Sequence, residues 1–565
     1  MKTRKQVKAM WKMPIGIDDF QKIRDEHYYF VDKTDFIRRL IDEHSAVTLI
    51  TRPRRFGKTL TMSMLEWFFS IEKEAQSLHL FDGLTVEQAG AEYMAHRGQY
   101  PVIFLTLKGI EDFTWPEMVR DFSLFVSDLY IQHEYLLTEG LPEARVKAFQ
   151  RLMNAEADEN ELARSLALLM QLMQRYYGKK VILLLDEYDV PIQHAWKYGF
   201  YEKCILFMRK FLGNVLKTNE ALDFSVMTGI MRISKESIFS GLNNLDVCTV
   251  TSKIYNNVMG FTPLEVQQMA RDMDAENCLS AVREWYDGYR FGGQEIYNPW
   301  SVINYFRTRK IGDYWVNTSD NSILRTLLKS MDAQHLRTLQ GLLQGDTIRV
   351  SLNEQVVYRN LKLDKSALYT LLLTTGYLTI AAGQEEARNR YALRIPNKEI
   401  QDVYQTEILN NLVPTLGRNS FDDLFDDLLS GDGRNFADEL QGILKQVVSV
   451  YDAANKESFY HGFMLGMTAL FLGKDYTVES NRESGYGRFD LAIFPKETDK
   501  AGVIMEFKVA ASESEMKEKA QEALQQIEDR EYITEFQKRG IKEVWKYGIA
   551  FCGKKIAVRR SESLP

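Results

Sequence analysis

Two sets of residues in this chain have the types and spacing to do chemistry. The first is Thr51-Arg52-Pro53-Arg54-Arg55-Phe56-Gly57-Lys58-Thr59, which follows the apolar run Ala46 to Ile50 and opens the helical pattern Leu60 to Phe69. A strand, a turn ending in Gly-Lys-Thr and a helix make a phosphate cradle. The backbone N–H groups and the helix N-terminus face the phosphates, the lysine reaches the outer ones, and the hydroxyl binds magnesium. Arg52 stands where the usual pattern has its first glycine. Pro53 pushes Arg52 toward extended dihedrals and brings no N–H of its own, so the loop is entered with one donor fewer. Arg54 and Arg55 would supply the missing positive charge; a basic turn before a helix is the plain alternative.

Far downstream, Val181-Ile-Leu-Leu-Leu-Asp186-Glu187 is a continuous apolar run ending in two carboxylates. That pattern predicts a parallel strand buried on both faces. At its carboxyl end Asp186 would hold the magnesium shell and Glu187 would polarise the attacking water. Phe224 to Gly229 reads as a further buried strand. Its Thr228 would lie at the same sheet edge and sense the terminal phosphate, or simply end the strand in a Thr-Gly turn.

The second set lies near the other end. Gly487 to Phe494 and Gly502 to Val509 read as two apolar strands joined by the polar turn Pro495 to Ala501. Side chains alternate along a strand, so Glu506 and Lys508 share one face while Met505, Phe507 and Val509 point into the core on the other. With Asp490 approaching from the neighbouring strand, Asp490 and Glu506 would form a hard-oxygen site for Mg²⁺ or Mn²⁺. Lys508 would orient or deprotonate the attacking water and stabilise charge developing on a phosphodiester. A solvated, salt-bridging face is the competing reading of the same residues.

The elements that must position these groups alternate. Tyr28 to Thr34 precedes an amphipathic helix, Asp35 to about Glu43, with Phe36, Ile37, Leu40 and Ile41 on one stripe; sitting just before the loop strand, this helix would contact a nucleotide base, or simply pack with Asp32 near its start. Tyr100 to Leu107 reads as a strand, and Trp115 to Tyr130 and Glu159 to Tyr177 as helices. Strands alternating with helices imply a parallel sheet covered on both faces. Val247 to about Gly345 reads as mostly helical, with its aromatics Trp285, Tyr289, Tyr297 and Trp300 assigned to the core. Ser366 to Thr375, Gly376, Tyr377 to Ile380 and Tyr391 to Ile395 give helix then hairpin, the outline of a winged-helix unit. Helices are expected from Lys456 to Leu472 and from Glu515 to Glu528, on either side of the second site.

The 565 residues exceed one ordinary core, and 45% apolar with 26% charged residues describes soluble globular protein. A formal net charge of −7 argues against a uniformly basic nucleic-acid coat, although a local patch would still bind a phosphate backbone. Cys204, Cys248, Cys278 and Cys552 are scattered, with neither metal spacing nor a dense framework, which points to a reducing cytoplasm. No apolar run approaches a membrane span, and the charged N-terminus lacks a signal-peptide core.

The wording of several motifs is familiar in combination. Tyr29-Phe-Val-Asp-Lys-Thr34, Arg52-Pro-Arg-Arg-Phe-Gly-Lys-Thr59, Leu185-Asp-Glu-Tyr-Asp189, Thr228-Gly-Ile through Ser240-Gly-Leu-Asn-Asn244, Trp285-Tyr-Asp-Gly-Tyr289 and Tyr297-Asn-Pro-Trp-Ser301 resemble a bacterial AAA-ATPase-like family. Its members usually carry a nuclease-like module at the C-terminus, and the resemblance runs nearly end to end. The family also lacks the first loop glycine. The Asp490, Glu506-x-Lys508 arrangement resembles the PD-(D/E)XK nuclease fold. Glu457 is then a candidate further metal ligand, Gln526 would face the substrate, and Glu483 and Arg488 flank the first strand in a family-like way without an assigned role.

The resemblance implies an α/β chain of four parts. These are an AAA-like P-loop ATPase domain over 1–245, a helical lid over 246–345, a winged-helix-like segment over 346–400, and a PD-(D/E)XK nuclease-like domain over 401–565. It implies ATP and Mg²⁺ as cofactors, with Arg54, Arg55, Phe56, Gly57, Lys58, Thr59, Asp186, Thr228 and Arg232 at the nucleotide, Arg232 being a candidate for an arginine supplied to a neighbour in a ring. The leading expectation is an ATPase coupled to a metal-dependent nuclease acting on nucleic acid, DNA before RNA, as a homo-oligomer away from membranes. The alternative is a nucleotide-regulated switch whose nuclease-like domain binds without cutting.

Overall fold

A computed structural model of the chain describes residues 11–232, 245–315, 341–352 except 344, 365–386, 390–404, 419–447 and 475–563 except 481, 482, 485 and 486, with isolated positions between them. The chain forms two compact units, Met1–Ser319 with Arg349–Ile400, and Asp320–Ile348 with Gln401–Pro565.

The first unit is built on a five-stranded sheet of β1 (Val47–Thr51), β2 (Val102–Thr106), β3 (Val181–Asp186), β4 (Leu222–Gly229) and β5 (Leu245–Cys248), in the order β2-β3-β4-β1-β5. Every pairing is parallel. Parallel strands need crossover connections, and helices cover both faces as a result. Ile182, Leu184 and Val226 pack with Met62, Leu65 and Phe69 of the helix Lys58–Phe69, while Leu183, Leu185 and Met227 between them are equally buried on the opposite face. This is why the apolar runs are continuous rather than alternating. Residues 159–177 fold as two helices, Glu159–Leu162 and Ser165–Tyr177, not one; buried Ser165 turns its hydroxyl back to the Leu162 carbonyl at the break. β5 extends the sheet to Cys248, where a helical start was expected.

Beyond the sheet come the helices Pro263–Asp272, Leu279–Tyr286 and Pro299–Thr308, with the hairpin β6 (Tyr289–Phe291) and β7 (Gln294–Ile296) between the last two. They share one apolar core with Tyr29. The helix Lys365–Thr375 leads into β9 (Thr379–Glu386) and β10 (Arg390–Arg394), an antiparallel pair that joins β8 (Ile348–Ser351) in the order β8-β10-β9. The helix-then-hairpin outline is therefore present.

In the second unit, β11 (Tyr476–Ser480), the short pair β12 (Glu483–Ser484) and β13 (Gly487–Arg488), then β14 (Leu491–Pro495), β15 (Gly502–Val509), β16 (Val544–Cys552) and β17 (Lys555–Ser563) follow one another. The main sheet runs β11-β14-β15-β16-β17 and is mixed, with only β15 and β16 parallel. The helix Met516–Asp529 makes that crossover, while the helix expected over 456–472 lies largely outside the described residues. Gly548 of β16 lies where an added Cβ would run into the Ala520 carbonyl oxygen, so glycine lets the crossover helix settle directly on the sheet beside Glu506, its register partner. The strand expected over 487–494 is interrupted: Phe489 and Asp490 leave the ladder, which resumes at Leu491 opposite Met505.

One side chain ties the first unit together where the loop begins. Arg52 is fully buried, and its guanidinium donates to the carbonyls of Thr51, Cys248, Thr249 and Tyr255 at 2.8–3.0 Å. It joins the ends of β1 and β5 to the turn after them, and stacks 4.9 Å from the Phe291 ring centre. Burial pushes its pKa down to about 10, so it stays charged. Restoring the usual loop glycine with Arg52→Gly should strip four buried carbonyls of a donor and cost about 3 kcal/mol or more. Urea unfolding of the full chain measures this, and a wild-type midpoint would contradict it.

Candidate functional site

Because β1, β3 and β4 are neighbours, their carboxyl ends bring the basic loop, Asp186 and Thr228 to one edge, the usual ligand edge of an open parallel sheet. Thr59 donates from Oγ1 to Asp186 Oδ2 at 2.7 Å, and Thr228 from Oγ1 to Oδ1 at 2.5 Å. Asp186 is wholly buried; burial pushes its carboxyl pKa up, against the pull of these two hydroxyls. The Glu187 N–H donates to Thr228 Oγ1 at 3.3 Å, and Glu187 itself sits at φ 52°, a strained left-handed conformation for a non-glycine residue.

Gly57, at φ 85°, makes the left-handed step into the helix Lys58–Phe69. Lys58 Nζ turns back and donates to the carbonyls of Arg52 and Pro53 at 3.2 and 3.1 Å. Its burial lowers its pKa, while Glu187, Asp186 and Asp189 favour the charged form. A cavity of about 450 Å³ opens over this loop, and Arg54, Arg55, Phe56, Gly57, Lys58, Thr59 and Glu187 all line it. Phe30, Val31, Val258, Met259, Phe261 and Trp300 provide an apolar wall. The donor set fits a magnesium-bound nucleoside triphosphate: a hydroxyl and a carboxylate side by side, an ammonium, and a left-handed loop opening a helix.

The structure brings Arg54, Arg55, Phe56, Gly57, Lys58 and Thr59 to the cavity and ties Asp186 and Thr228 to it through the hydrogen bonds on Asp186; Asp186, Thr228 and Arg232, the last of which follows β4, are not themselves among the cavity-lining residues. Residues 233–244, which include the motif from Ser240 to Asn244, lie outside the described residues. Asp189 is a residue that sequence reasoning misses. An acid at a helix start reads as an N-cap, but here its Oδ2 accepts from the Ile230 and Met231 N–H groups at 3.0 and 2.9 Å, holding the chain just past Thr228. Its place three residues after Asp186, at the end of the motif Leu185-Asp-Glu-Tyr-Asp189, was the signal available.

In the second unit, Glu506 is 2% exposed, which removes the solvated-face reading. β15 is buried on both sides: Met505 and Phe507 belong to one core, and Ile504, on the Glu506 side, to another with Leu524 and Ile527 of the crossover helix. Asp490 sits at the bend before β14 because its carboxylate Oδ2 accepts from the Phe507 N–H at 2.7 Å while its own N–H reaches Glu506 Oε2 at 3.4 Å. Lys508 Nζ lies 3.4 Å from Glu506 Oε1. Gln526, from the crossover helix, donates to the same Oε1 and lies 3.4 Å from the Tyr532 hydroxyl.

Burial, reinforced by the Asp490 charge, pushes the Glu506 pKa up to about 8. Two hard-oxygen carboxylates whose mutual repulsion raises a proton affinity are a donor set that a divalent cation suits. Asp490, Glu506 and Lys508 come together as expected. Glu457 lies outside the described residues, as do the side chains of Glu483 and Arg488, although the backbones of the latter two pair between β12 and β13. Among the described residues, no three His, Cys, Asp or Glu side chains gather as a metal cluster, and no helix is long and apolar enough to cross a membrane.

Comparison with known proteins agrees with this division. A protein of Azotobacter chroococcum mcd 1, described as an uncharacterized protein in the vnfD 5' region, is 28% identical over 537 residues, which cover 94% of each chain. A family model described as a predicted AAA-ATPase matches residues 14–239, and one for the PD-(D/E)XK nuclease superfamily matches residues 455–561. The first model's match falls on residues of the first unit, which carries the basic loop and Asp186, and the second on residues of the second unit, which carries Asp490, Glu506 and Lys508.

Proposed function

We propose that the chain binds and hydrolyses ATP in its first unit and that this turnover governs metal-dependent cleavage of nucleic acid, DNA before RNA, in its second. The observation that carries the reading is the buried Glu506 with Asp490 and Lys508 beside it, in a chain whose other half sets Thr59 and Thr228 on a buried Asp186. Bound magnesium would neutralise charge on the phosphates at each site. Thr59 and Asp186 would hold it at the first site, and Asp490 and Glu506 at the second, where Mn²⁺ is also suited. Lys58 would transfer its hydrogen bonds from the loop carbonyls to phosphate oxygens. Glu187, at the cavity wall, orients the attacking water, and Thr228 keeps the Asp186 carboxylate aimed at Thr59. In the second unit Lys508 sits within reach of a scissile phosphate held at the carboxylates, and Gln526 fixes the Glu506 rotamer. A cytoplasmic location and assembly into a homo-oligomer belong to the same reading.

The alternative is a nucleotide-regulated switch that binds nucleic acid without cutting it. Cleavage assays on plasmid and single-stranded DNA and RNA, with Mg²⁺ or Mn²⁺ and with or without ATP, separate the two. Lys58→Ala and Asp186→Ala should each reduce ATP turnover by at least about a hundredfold. Asp490→Ala and Lys508→Ala should abolish cleavage while leaving ATP turnover within about twofold of wild type. ATP hydrolysis without cleavage of any substrate would favour the switch.

The Glu506 carboxyl gives a pH prediction. Its pKa is raised in the folded chain, so the proton is held below about pH 8, and the contribution to stability, full below the unfolded value of 4.5, is lost as pH rises toward 8. Metal must displace that proton. Between pH 6 and 8, Mn²⁺ binding should therefore tighten by up to about tenfold per pH unit and release close to one proton. Calorimetry in buffers of different ionisation enthalpy counts the proton; a pH-independent affinity, or the same pH dependence in Glu506→Gln, would refute the assignment.

A further inference from the structure

The motif Tyr297-Asn-Pro-Trp-Ser301 takes no part in the chemistry described so far, yet it meets the phosphate loop. Asn298 caps the helix Pro299–Thr308 by accepting from the Ser301 N–H at 3.2 Å. The Ser301 hydroxyl donates to Glu399 Oε2 at 2.8 Å, and Glu399 Oε1 accepts from the Trp315 N–H at 2.7 Å. The Trp315 indole then donates from Nε1 to the Arg54 carbonyl at 3.2 Å. Trp300, one residue before Ser301, donates from its own Nε1 to the Tyr314 carbonyl at 2.9 Å, which fixes the plane of its ring. The Arg55 guanidinium lies 4.4 Å from the centre of that ring.

Both side chains line the cavity over the loop. Arg55 has φ 68°, a conformation that a non-glycine residue keeps only where its surroundings hold it. An indole is the best aromatic partner for a guanidinium, and stacking engages the face of the guanidinium and leaves its N–H edge for oxygens in its plane. A cation without such a seat would sample many rotamers and lose part of its binding to ordering entropy.

We propose that Trp300 is a positioning residue for nucleotide binding: its locked indole face seats the Arg55 guanidinium at the phosphate loop, so that Arg55 supplies the charge a loop entered through Arg52-Pro53 lacks. This rests on the nucleotide-binding reading of the first unit. The Asn298 cap and the Ser301–Glu399–Trp315 chain then act on the same loop, one placing the Trp300 ring and the other holding the Arg54 backbone beside it.

The test is a double-mutant cycle on Mg-ATP affinity, measured by isothermal titration of the full-length protein. Arg55→Ala and Trp300→Ala should each weaken binding about tenfold, and the double variant should be no weaker than the poorer single one, because either substitution removes the same seated cation. Trp300→Phe, which keeps a ring face, should stay within about threefold of wild type. A merely structural tryptophan would give losses that multiply in the double variant, and that result overturns the proposal, as does wild-type affinity in Trp300→Ala. Should Trp300→Ala fail to fold, Trp300→Leu keeps bulk without the π face and carries the same expectation. Lys58→Ala separates the two levels: loss of binding there with retention in the Trp300 variants sinks only the proposal, whereas a wild-type chain that does not bind ATP sinks the nucleotide reading along with it.

Discussion

Taking a carboxylate out of water costs several kcal/mol unless hydrogen bonds or a cation replace the lost hydration. Each half of this chain does so at the point where its sheet presents chemistry. Asp186 meets the cost with two hydroxyls, from Thr59 on the loop helix and Thr228 on the adjoining strand, which fixes the relative placement of β1, β3 and β4. Glu506 meets it incompletely: Lys508 and Gln526 share one oxygen, Asp490 adds repulsion, and the outcome is a carboxyl that keeps its proton to about pH 8. The first arrangement is nearly satisfied as it stands, whereas the second is stabilised by anything that brings positive charge.

Arg52 shows how a loop without its first glycine is still a cradle. Glycine there usually permits a tight entry; here the chain is fastened instead by four carbonyls converging on one guanidinium, from β1, β5 and the turn after β5. Pro53 packs within 3.0 Å of the Cβ position that Gly376 leaves empty, and Phe56 lies between Tyr289 and Phe291 while its carbonyl accepts from the Gly260 N–H. Conformational freedom in the loop is thus limited by packing from downstream chain rather than by glycine geometry.

Four strands of the first unit's sheet, β1 to β4, were legible because strands buried on both faces are largely apolar, while the half-buried β5 was not, and the candidate ligand edge followed from where those runs end in Asp186 and Thr228. The alternation along β15 likewise placed Glu506 with Lys508. What escaped depends on partners remote in sequence. Nothing around Arg52 says that three of its four acceptors lie about two hundred residues away, and a buried arginine runs against the usual preference of charge for water. Phe489-Asp490 continues an apolar pattern, so the break there, set by the bond from the Phe507 N–H to Asp490, was invisible to periodicity. An aromatic such as Trp300 reads as core from sequence, since a cavity wall and a core interior have the same composition. Arg232 was carried by resemblance alone.

Lys58 connects these points. Buried at the base of the cavity, its ammonium would lose its proton more readily but for Glu187, Asp186 and Asp189 around it. Its donors rest on two carbonyls of the loop it must serve. Exchanging those acceptors for phosphate oxygens conserves the number of hydrogen bonds and strengthens each by charge. The ammonium is already desolvated, and Arg52 together with the packing of Tyr289, Phe291, Gly260 and Gly376 on the loop already limits its backbone, so little reorganisation remains for binding to drive.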